Sequence, residues 1–374
     1  MEKRYSSFSV AFPIASVWFG ALVGPSMVSG AFAVVYFMPY GMWGLLLPFV
    51  SMGVASVIVS CGLFGVKLWR VENYSDYGKK LYGKYAWLFS PLLEFYLILA
   101  MIVGGSSVIA MGGTFFHDLL GIAPFWGQLL MAAISSVLVL WGAELVRKSS
   151  TCMTIILLIG FACMIGISCY HGHSTLAQQM KSWYVPEGKT FWMGVGPAVA
   201  LGLSNACNAL TLSSVSQKLR TTKDVLVTGL CAFVLNSFTF FGCVIFLLPY
   251  MPAILLEDVP NLYVIKEYLA TIVPWLPAVY NIVMLLGLAS SGAPQLNAVA
   301  YRVVNLYPNK GVFQKTTNRN FCTAVIYMTI CILVSSLGLR TIIGKGYSLL
   351  GFLSIPLIVI PLCVILPLRV YRKK

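Results

Sequence analysis

Long apolar stretches separated by short polar connections extend along almost the whole chain of 374 residues. A helix needs about 20 mainly apolar residues to span a bilayer. The pattern predicts ten such helices, named here spans one to ten, at about 12–37, 42–66, 87–115, 125–145, 151–170, 192–216, 224–249, 275–301, 321–338 and 347–369. We therefore expect an all-α integral membrane protein that forms a single transmembrane domain over residues 1–374.

Span one contains a cluster of residues that interrupt helices. Five of them fall within seven positions near its middle: Gly24, Pro25, Ser26, Ser29 and Gly30. Proline cannot donate a backbone hydrogen bond, and glycine adds conformational freedom. A helix broken inside the membrane is tolerated only where the break is buried in protein or lines a cavity. The cluster therefore predicts either a ligand site or a proline kink without a ligand.

Composition and the placement of charge support a membrane protein. Hydrophobic residues make up 59% of the chain and charged residues 10%, whereas soluble domains have about 25% charged residues. The ten spans place all but five of the 25 lysines and arginines on the same side as both termini; the five are Lys181, Lys189, Lys266, Arg340 and Lys345. The positive-inside rule puts that side in the cytoplasm. We expect a multi-pass protein of the cell membrane, in contact with lipid and with no nucleic-acid partner.

No motif for catalysis or for a resident metal is visible. The ten cysteines are scattered, without a CxxC motif, and the three histidines lie near the ends of spans. No nucleotide-binding P-loop is present, so a self-powered pump is not expected. We therefore expect neither an enzyme nor a cofactor, apart from the sodium ion considered below.

Span six is the most polar of the ten and contains a second candidate interruption, GLSNACNA, at residues 202–209. Asparagine amides are unfavourable in hydrocarbon unless they are paired or face water, although small and polar residues also mediate helix packing in membranes. If the spans form two repeats of five, at about 10–172 and 190–370, span six corresponds to span one. Because five is odd, the second repeat is inverted, and interrupted helices at matching positions of inverted repeats are typical of transport sites.

The sequence GALVGPSMVSGAFAVVYFMPYG, which begins at Gly20, resembles the first helix of YkvI-like bacterial membrane proteins of the amino acid–polyamine–organocation (APC) superfamily. The resemblance implies a LeuT-type fold with a 5+5 inverted repeat and interrupted helices 1 and 6. It also implies a small solute, in the first place an amino acid, bound between spans one and six. Related proteins tend to carry a Gln-Glu pair where this chain has Ala31 and Phe32, so no role for that acid is carried over.

A zwitterionic substrate needs donors for its carboxylate and acceptors for its ammonium group. We expect backbone N–H groups from the first break and backbone carbonyls from the second, with asparagine amides beside them and a wall from span three. No acidic residue is expected near this centre, which favours a neutral amino acid. The predicted substrate-binding residues are Gly24, Ser26, Met27, Val28, Ser29, Gly30, Gly105, Ser106, Gly202, Leu203, Ser204, Asn205 and Asn208.

Two alternatives for ion coupling are open. By resemblance to sodium-coupled relatives, carbonyls near Gly20 and Val23 would hold a sodium ion together with the hydroxyls of Ser290 and Ser291. Glu94, about 12 Å of helix from the cytoplasmic end of span three, is the proton-coupling candidate, because an intramembrane carboxylate is a functional candidate by default. Pairing of Glu94 with a lysine or arginine near the cytoplasmic face is its alternative role.

The functional prediction is a secondary active transporter that works by alternating access. The alternative is an amino-acid-sensing membrane receptor of the same fold, like germinant-receptor subunits, without net transport. A channel is not expected, since no repeated filter or oligomeric signature is visible. The external connection 250–274 is expected to form a short helix that begins at Pro260, is capped by Asp258 and lies over the mouth of the bundle.

Overall fold

The structure, a computed structural model, describes residues 6–71, 74–141, 143–303 and 316–371. Within these ranges helices are the only regular secondary structure. The α-helices are α1 (Ser7–Leu22), α2 (Ala31–Tyr36), α3 (Leu47–Trp69), α4 (Tyr74–Tyr82), α5 (Ala86–Leu120), α6 (Pro124–Trp141), α7 (Ala143–His171), α8 (His173–Ser182), α9 (Phe191–Ser204), α10 (Asn208–Thr211), α11 (Thr222–Leu247), α12 (Pro260–Val264), α13 (Leu276–Val303), α14 (Thr316–Ser335), α15 (Leu339–Thr341), α16 (Tyr347–Ser354) and α17 (Leu366–Tyr371).

Several helices are long and apolar enough to cross a membrane. By length and composition, the described chain contains five such segments, or up to six if α7 and α8, which meet at 79°, are counted as one span. The five are Leu47–Trp69, Ser75–Leu120, Thr222–Tyr250, Asn318–Ser335 and Leu339–Tyr371. Other predicted spans coincide with interrupted helices or with shorter apolar helices. The total of ten spans, the location of the termini and the division into two repeats therefore remain predictions.

Span one is interrupted where its glycines and proline lie. After α1, residues Val23–Val28 form a wide π-helical turn, and Gly30 has a φ of +79° before α2 begins at Ala31. Glycine adopts this left-handed conformation without a steric penalty because it has no Cβ. The predicted interruption of span one is confirmed.

Span six changes helical pitch but does not unwind. α9 ends at Ser204, and the residues Asn205–Cys207 form a tighter 3₁₀ turn. The residues at the junctions, Ser204, Asn205, Cys207 and Asn208, all have right-handed helical dihedrals. The backbone N–H of Asn205 donates to the carbonyls of Gly202 and Leu203, and the Ser354 hydroxyl donates to the Leu203 carbonyl at 3.0 Å. The expectation that these two carbonyls are freed for a ligand is therefore corrected, because the helix and α16 already use them.

The connection before α13 contains the short helix expected there. α12 begins at Pro260, as predicted, but Val259 occupies its N-cap position and no side chain caps it. Asp258 instead forms an ion pair with Arg340, with 3.5 Å between the Asp258 Oδ1 and Arg340 Nε atoms. The predicted capping role of Asp258 is wrong, since its carboxylate binds Arg340 of α15, which precedes span ten.

Two groups of helices pack around the interruption of span one and the 3₁₀ turn of span six. α3 packs against α9 and α11, α1 packs against α11, and α5 packs against α6, α13 and α14. A methyl group on Gly62 would lie 2.5 Å from the Ala209 carbonyl oxygen, and one on Gly202 would lie 2.4 Å from the Ser51 carbonyl oxygen. These glycines bring α3 into backbone contact with α9 and α10, which fixes the position of the polar part of span six.

Candidate functional site

A cavity of about 280 Å³ lies where the interruption of span one and the 3₁₀ turn of span six meet α5, α13 and α16. Small-molecule sites begin at roughly this size, about 300 Å³. Span one contributes Val17, Gly20, Ala21, Leu22, Ser26 and Phe32 to the lining. The Ser26 hydroxyl donates to the Leu22 carbonyl, which satisfies an acceptor of the last turn of α1 and leaves the Ser26 oxygen with lone pairs.

The wall formed by span six supplies most of the polar groups. Ser204, Asn205 and Asn208, all predicted site residues, line the cavity. The Ser204 hydroxyl donates to the Leu201 carbonyl at 2.7 Å, as does the Asn205 Nδ2 at 3.0 Å. The Asn208 Nδ2 donates to the Asn205 backbone oxygen at 3.2 Å and to Asn205 Oδ1 at 3.3 Å. Because these donors bind within their own span, this wall offers a ligand mainly acceptors.

The carbonyls of the first break are capped by a residue from the distant connection before α13. Asn261 is fully buried, and its Nδ2 donates to the carbonyls of Met27 at 3.0 Å and Val28 at 2.9 Å. Its backbone N–H donates to the Ser29 carbonyl at 3.1 Å. The Tyr280 hydroxyl also donates to the Val28 carbonyl at 2.9 Å. α12 therefore does more than cover the bundle, since it satisfies acceptors that the interruption exposes.

The side of the cavity on which α2 and α12 lie, called here the outer side, is closed. The Phe32 and Tyr347 rings, which both line the cavity, meet edge to face with 4.8 Å between their centroids. The Tyr36 hydroxyl ties α2 to the Ile343 carbonyl at 2.8 Å. The lining residues of α1, from Val17 to Leu22, all precede the break. The cavity therefore extends from the break along α1 toward Val17.

Several predicted site residues lie near the cavity but do not line it. Gly105 faces α14, where a methyl group would lie 2.1 Å from the Tyr327 hydroxyl oxygen, and Gly104 lines the cavity in its place. Ser106 is buried behind it. The other described residues predicted for the site but outside the lining are Met27, Val28, Ser29 and Gly30 at the first break, and Gly202 and Leu203 at the end of α9. Gly24 lies in the wide turn Val23–Val28.

The predicted sodium ligands fall on both sides of the contact between span one and α13. α13 packs against the wide turn at Val23–Val28, and both Gly20 and Ser291 line the cavity. Ser291 is buried, and its hydroxyl oxygen has no hydrogen-bond partner in the described part of the chain. Val23 opens the wide turn, and the side chain of Ser290 lies outside the described residues. Backbone carbonyls and hydroxyls are hard ligands that suit such a cation.

Glu94 forms an ion pair and does not line the cavity. Its Oε2 lies 3.7 Å from Nε of Arg302, whose side chain is 6% exposed, against 36% for Glu94. Arg302 Nη1 also donates to the Ala298 carbonyl at 3.0 Å. Ala298 and Met101, a further contact of Arg302, line the cavity. The pair thus lies directly behind the cavity wall. Glu94 is paired with an arginine, which was the alternative to proton coupling.

We expect Glu94→Gln to lower the free energy of unfolding by about 1–2 kcal/mol, because it removes the counter-charge of a buried guanidinium while Glu94 itself is partly solvated. The measurement is equilibrium unfolding in detergent, with the exposed Glu187→Gln as the matched control. Unchanged stability, combined with loss of pH-dependent transport, would instead identify Glu94 as a proton-coupling group.

Sequence reasoning grouped Gly104 with Gly105 as the wall from span three, but it missed Asn261 and Tyr280 as partners of the first break and Tyr347 as a lining residue. Asn261 contacts carbonyls more than 230 residues away in the chain, and no local sequence pattern predicts such a contact. Gly104 and Gly105 are adjacent, yet Gly104 lines the cavity and Gly105 contacts α14. Telling these roles apart requires knowing which helix packs against each face of α5.

Comparison with solved structures identifies the fold as that of LeuT-fold transporters. A Na⁺-coupled sialic acid symporter matches with a TM-score of 0.66 and 12% identity, over 96% of this chain and 79% of that one. MhsT, solved with L-phenylalanine, matches with a TM-score of 0.64 and 14% identity, over 92% and 87%. Mhp1, a nucleobase-cation-symport-1 family transporter solved with bromovinylhydantoin, matches with a TM-score of 0.61 and 13% identity, over 90% of this chain and 74% of that one. These three proteins are transporters and not enzymes.

A sequence relative matches along the whole chain. The uncharacterized membrane protein YkvI of Bacillus subtilis (strain 168) is 21% identical over 371 residues, which is 99% of both proteins. The resemblance to YkvI and to the LeuT-type fold, first suggested by the sequence around Gly20, is thereby confirmed. No family model matches the chain.

Proposed function

We propose that this protein is a secondary active transporter of a neutral amino acid that works by alternating access. The observation that carries the proposal is a cavity where the interruption of span one meets the 3₁₀ turn of span six. It is closed on the outer side by α2 and α12 and extends along α1 on the other side. A site that faces one side while the opposite side is sealed by breakable contacts is what alternating access requires.

The charge of the site supports a substrate without net charge. None of the described residues that line the cavity is acidic or basic. The ion pair behind the wall, Glu94 with Arg302, is neutral as a unit. An unmatched charge at mid-membrane depth is unfavourable by at least about 3 kcal/mol. A zwitterion avoids that penalty, since the acceptors of Ser204, Asn205 and Asn208 suit an ammonium group and the backbone of the first break suits a carboxylate.

The similar solved structures support the same class of function. MhsT was solved with L-phenylalanine, and the sialic acid symporter is Na⁺-coupled. In our proposal, a sodium ion binds between Gly20 and Val23 on span one and Ser290 and Ser291 on α13. The unpaired hydroxyl of Ser291 is the feature of this chain that supports such a site.

The predicted topology indicates which side of the membrane the cavity faces. With ten spans and both termini in the cytoplasm, the outer side is extracellular and the cavity extends toward the cytoplasm. The structure then corresponds to a state that is closed to the outside, and transport requires the contacts of α12 and α2 to open. The protein would function in the cell membrane, in contact with lipid.

A thermal-shift screen tests the substrate and the ion together. We expect one or more neutral amino acids to raise the unfolding temperature of the purified protein, more strongly with sodium than with choline. Ser291→Ala should abolish the sodium-dependent part and leave the protein folded. Stronger stabilisation by diamines or dicarboxylates than by every neutral amino acid would contradict the proposed substrate, and equal shifts in both salts would contradict the ion.

A further inference from the structure

Gln295 places a carboxamide in the cavity wall, on a part of α13 that the proposed substrate and sodium contacts leave unused. It lies one helical turn beyond Ser291 and lines the cavity. Its Oε1 atom is buried and has no hydrogen-bond partner in the described part of the chain. Native structures leave few buried polar atoms unpaired. An unpaired amide oxygen in a cavity wall is therefore a candidate ligand contact.

The position of this amide is fixed by a glycine on the facing helix. A methyl group on Gly104 would lie 2.8 Å from Nε2, 3.1 Å from Cδ and 3.1 Å from Oε1 of Gln295. The three nearest atoms to that position thus all belong to the carboxamide, which occupies the space that a Cβ at position 104 would fill. Any side chain at position 104 would displace it. Gly104 and Gln295 thus form a close packing contact between α5 and α13 at the cavity wall.

Apart from Ser291, whose unpaired hydroxyl is assigned to the cation, the polar groups contributed by spans one and six differ from Gln295 because they have partners. Ser26 donates to Leu22, and Ser204 and Asn205 donate to Leu201. Asn208 donates to Asn205. A carboxamide both donates and accepts, so it matches a hydroxyl or another carboxamide better than it matches a methyl group. A buried polar group built to bind such a partner rejects the apolar analogue, because the analogue leaves it unpaired.

We propose that Gln295, seated on Gly104, binds an uncharged polar group on the side chain of the substrate, so that the transported amino acid carries a hydroxyl or a carboxamide. This inference rests on the proposed transport function and narrows its substrate class. It separates two roles on one helix: Ser291 serves the cation, and Gln295 serves the substrate side chain.

The test is direct binding to purified protein in nanodiscs, with amino acids paired by size: threonine against valine, and asparagine against leucine. We expect the polar member of at least one pair to bind at least about tenfold more tightly. Gln295→Met, which keeps length but loses both hydrogen-bonding groups, should remove this preference while leaving the affinity for the apolar member within about twofold. Ser291→Ala should change the sodium dependence and leave the preference intact.

Two further variants separate recognition from folding. Gly104→Ala displaces the carboxamide and should reduce the polar preference as Gln295→Met does. Gly166→Ala, where a methyl group would meet nothing within 4 Å, is its control and should bind as the wild type does. A preference for apolar members, or an unchanged ratio in Gln295→Met, would overturn the inference while leaving transport of a neutral amino acid standing. If no neutral amino acid binds, the proposed function and this inference fail together.

Discussion

Gly30→Ala is expected to lower the free energy of unfolding by about 3 kcal/mol or more, because two penalties coincide at this position. A residue with a Cβ is strained at a φ of +79°. The added methyl group would also lie 2.3 Å from Oδ1 and 2.8 Å from Cγ of Asn261. Moving that buried amide would leave the carbonyls of Met27 and Val28 without its hydrogen bonds. Equilibrium unfolding in detergent measures the loss.

Gly121→Ala is the matched control for backbone strain. Gly121 has a φ of +69°, but a methyl group there would meet nothing within 4 Å. We expect this variant to lose only about 1–2 kcal/mol, the strain of the left-handed conformation. Equal losses in the two variants would show that the contact with Asn261 contributes nothing at Gly30.

Asn261→Leu is expected to lower the free energy of unfolding by about 2–4 kcal/mol, because leucine has a similar size but no donor for two buried carbonyls. The Met27 carbonyl would lose its amide partner, while the Val28 carbonyl would keep the Tyr280 hydroxyl. Since Asn261 holds α12 on the break, hydrogen exchange should also accelerate across Val23–Val28. Mass spectrometry of peptides from this segment measures that change.

Asn297→Leu provides the control, since Asn297 is exposed on α13. We expect it to change neither the stability by more than about 0.5 kcal/mol nor the exchange of Val23–Val28. Unaltered exchange in Asn261→Leu would contradict the account in which α12 seals the outer side through the break.

The sequence predicts the features of this fold that depend on local chemistry. Apolar length alone predicts helices such as α3 and α11. The interruption of span one follows from Pro25 and Gly30, because proline and glycine act on their own backbone. The start of α12 follows from Pro260 for the same reason. In each of these cases the residues that determine the structure are neighbours in the chain.

Features that depend on distant partners could not be predicted. The polar residues of span six predict an unwound segment, yet the span stays helical. Its asparagine side chains bind within the span, and the Ser354 hydroxyl donates to the Leu203 carbonyl. Asp258 suits an N-cap, but Arg340 lies close enough to bind it instead. The roles of Gly104 and Gly105 depend on which helices face α5, and adjacent residues of a helix face different neighbours.

Counterflow in proteoliposomes tests the central claim most directly. Vesicles are loaded with the unlabelled amino acid that stabilises the protein best in the thermal-shift screen, and a trace of the same amino acid is added outside in labelled form. A secondary transporter accumulates the label transiently above the level of protein-free vesicles, and only when the unlabelled amino acid is inside. Saturable binding of that amino acid without any counterflow would contradict transport and favour the amino-acid-sensing receptor.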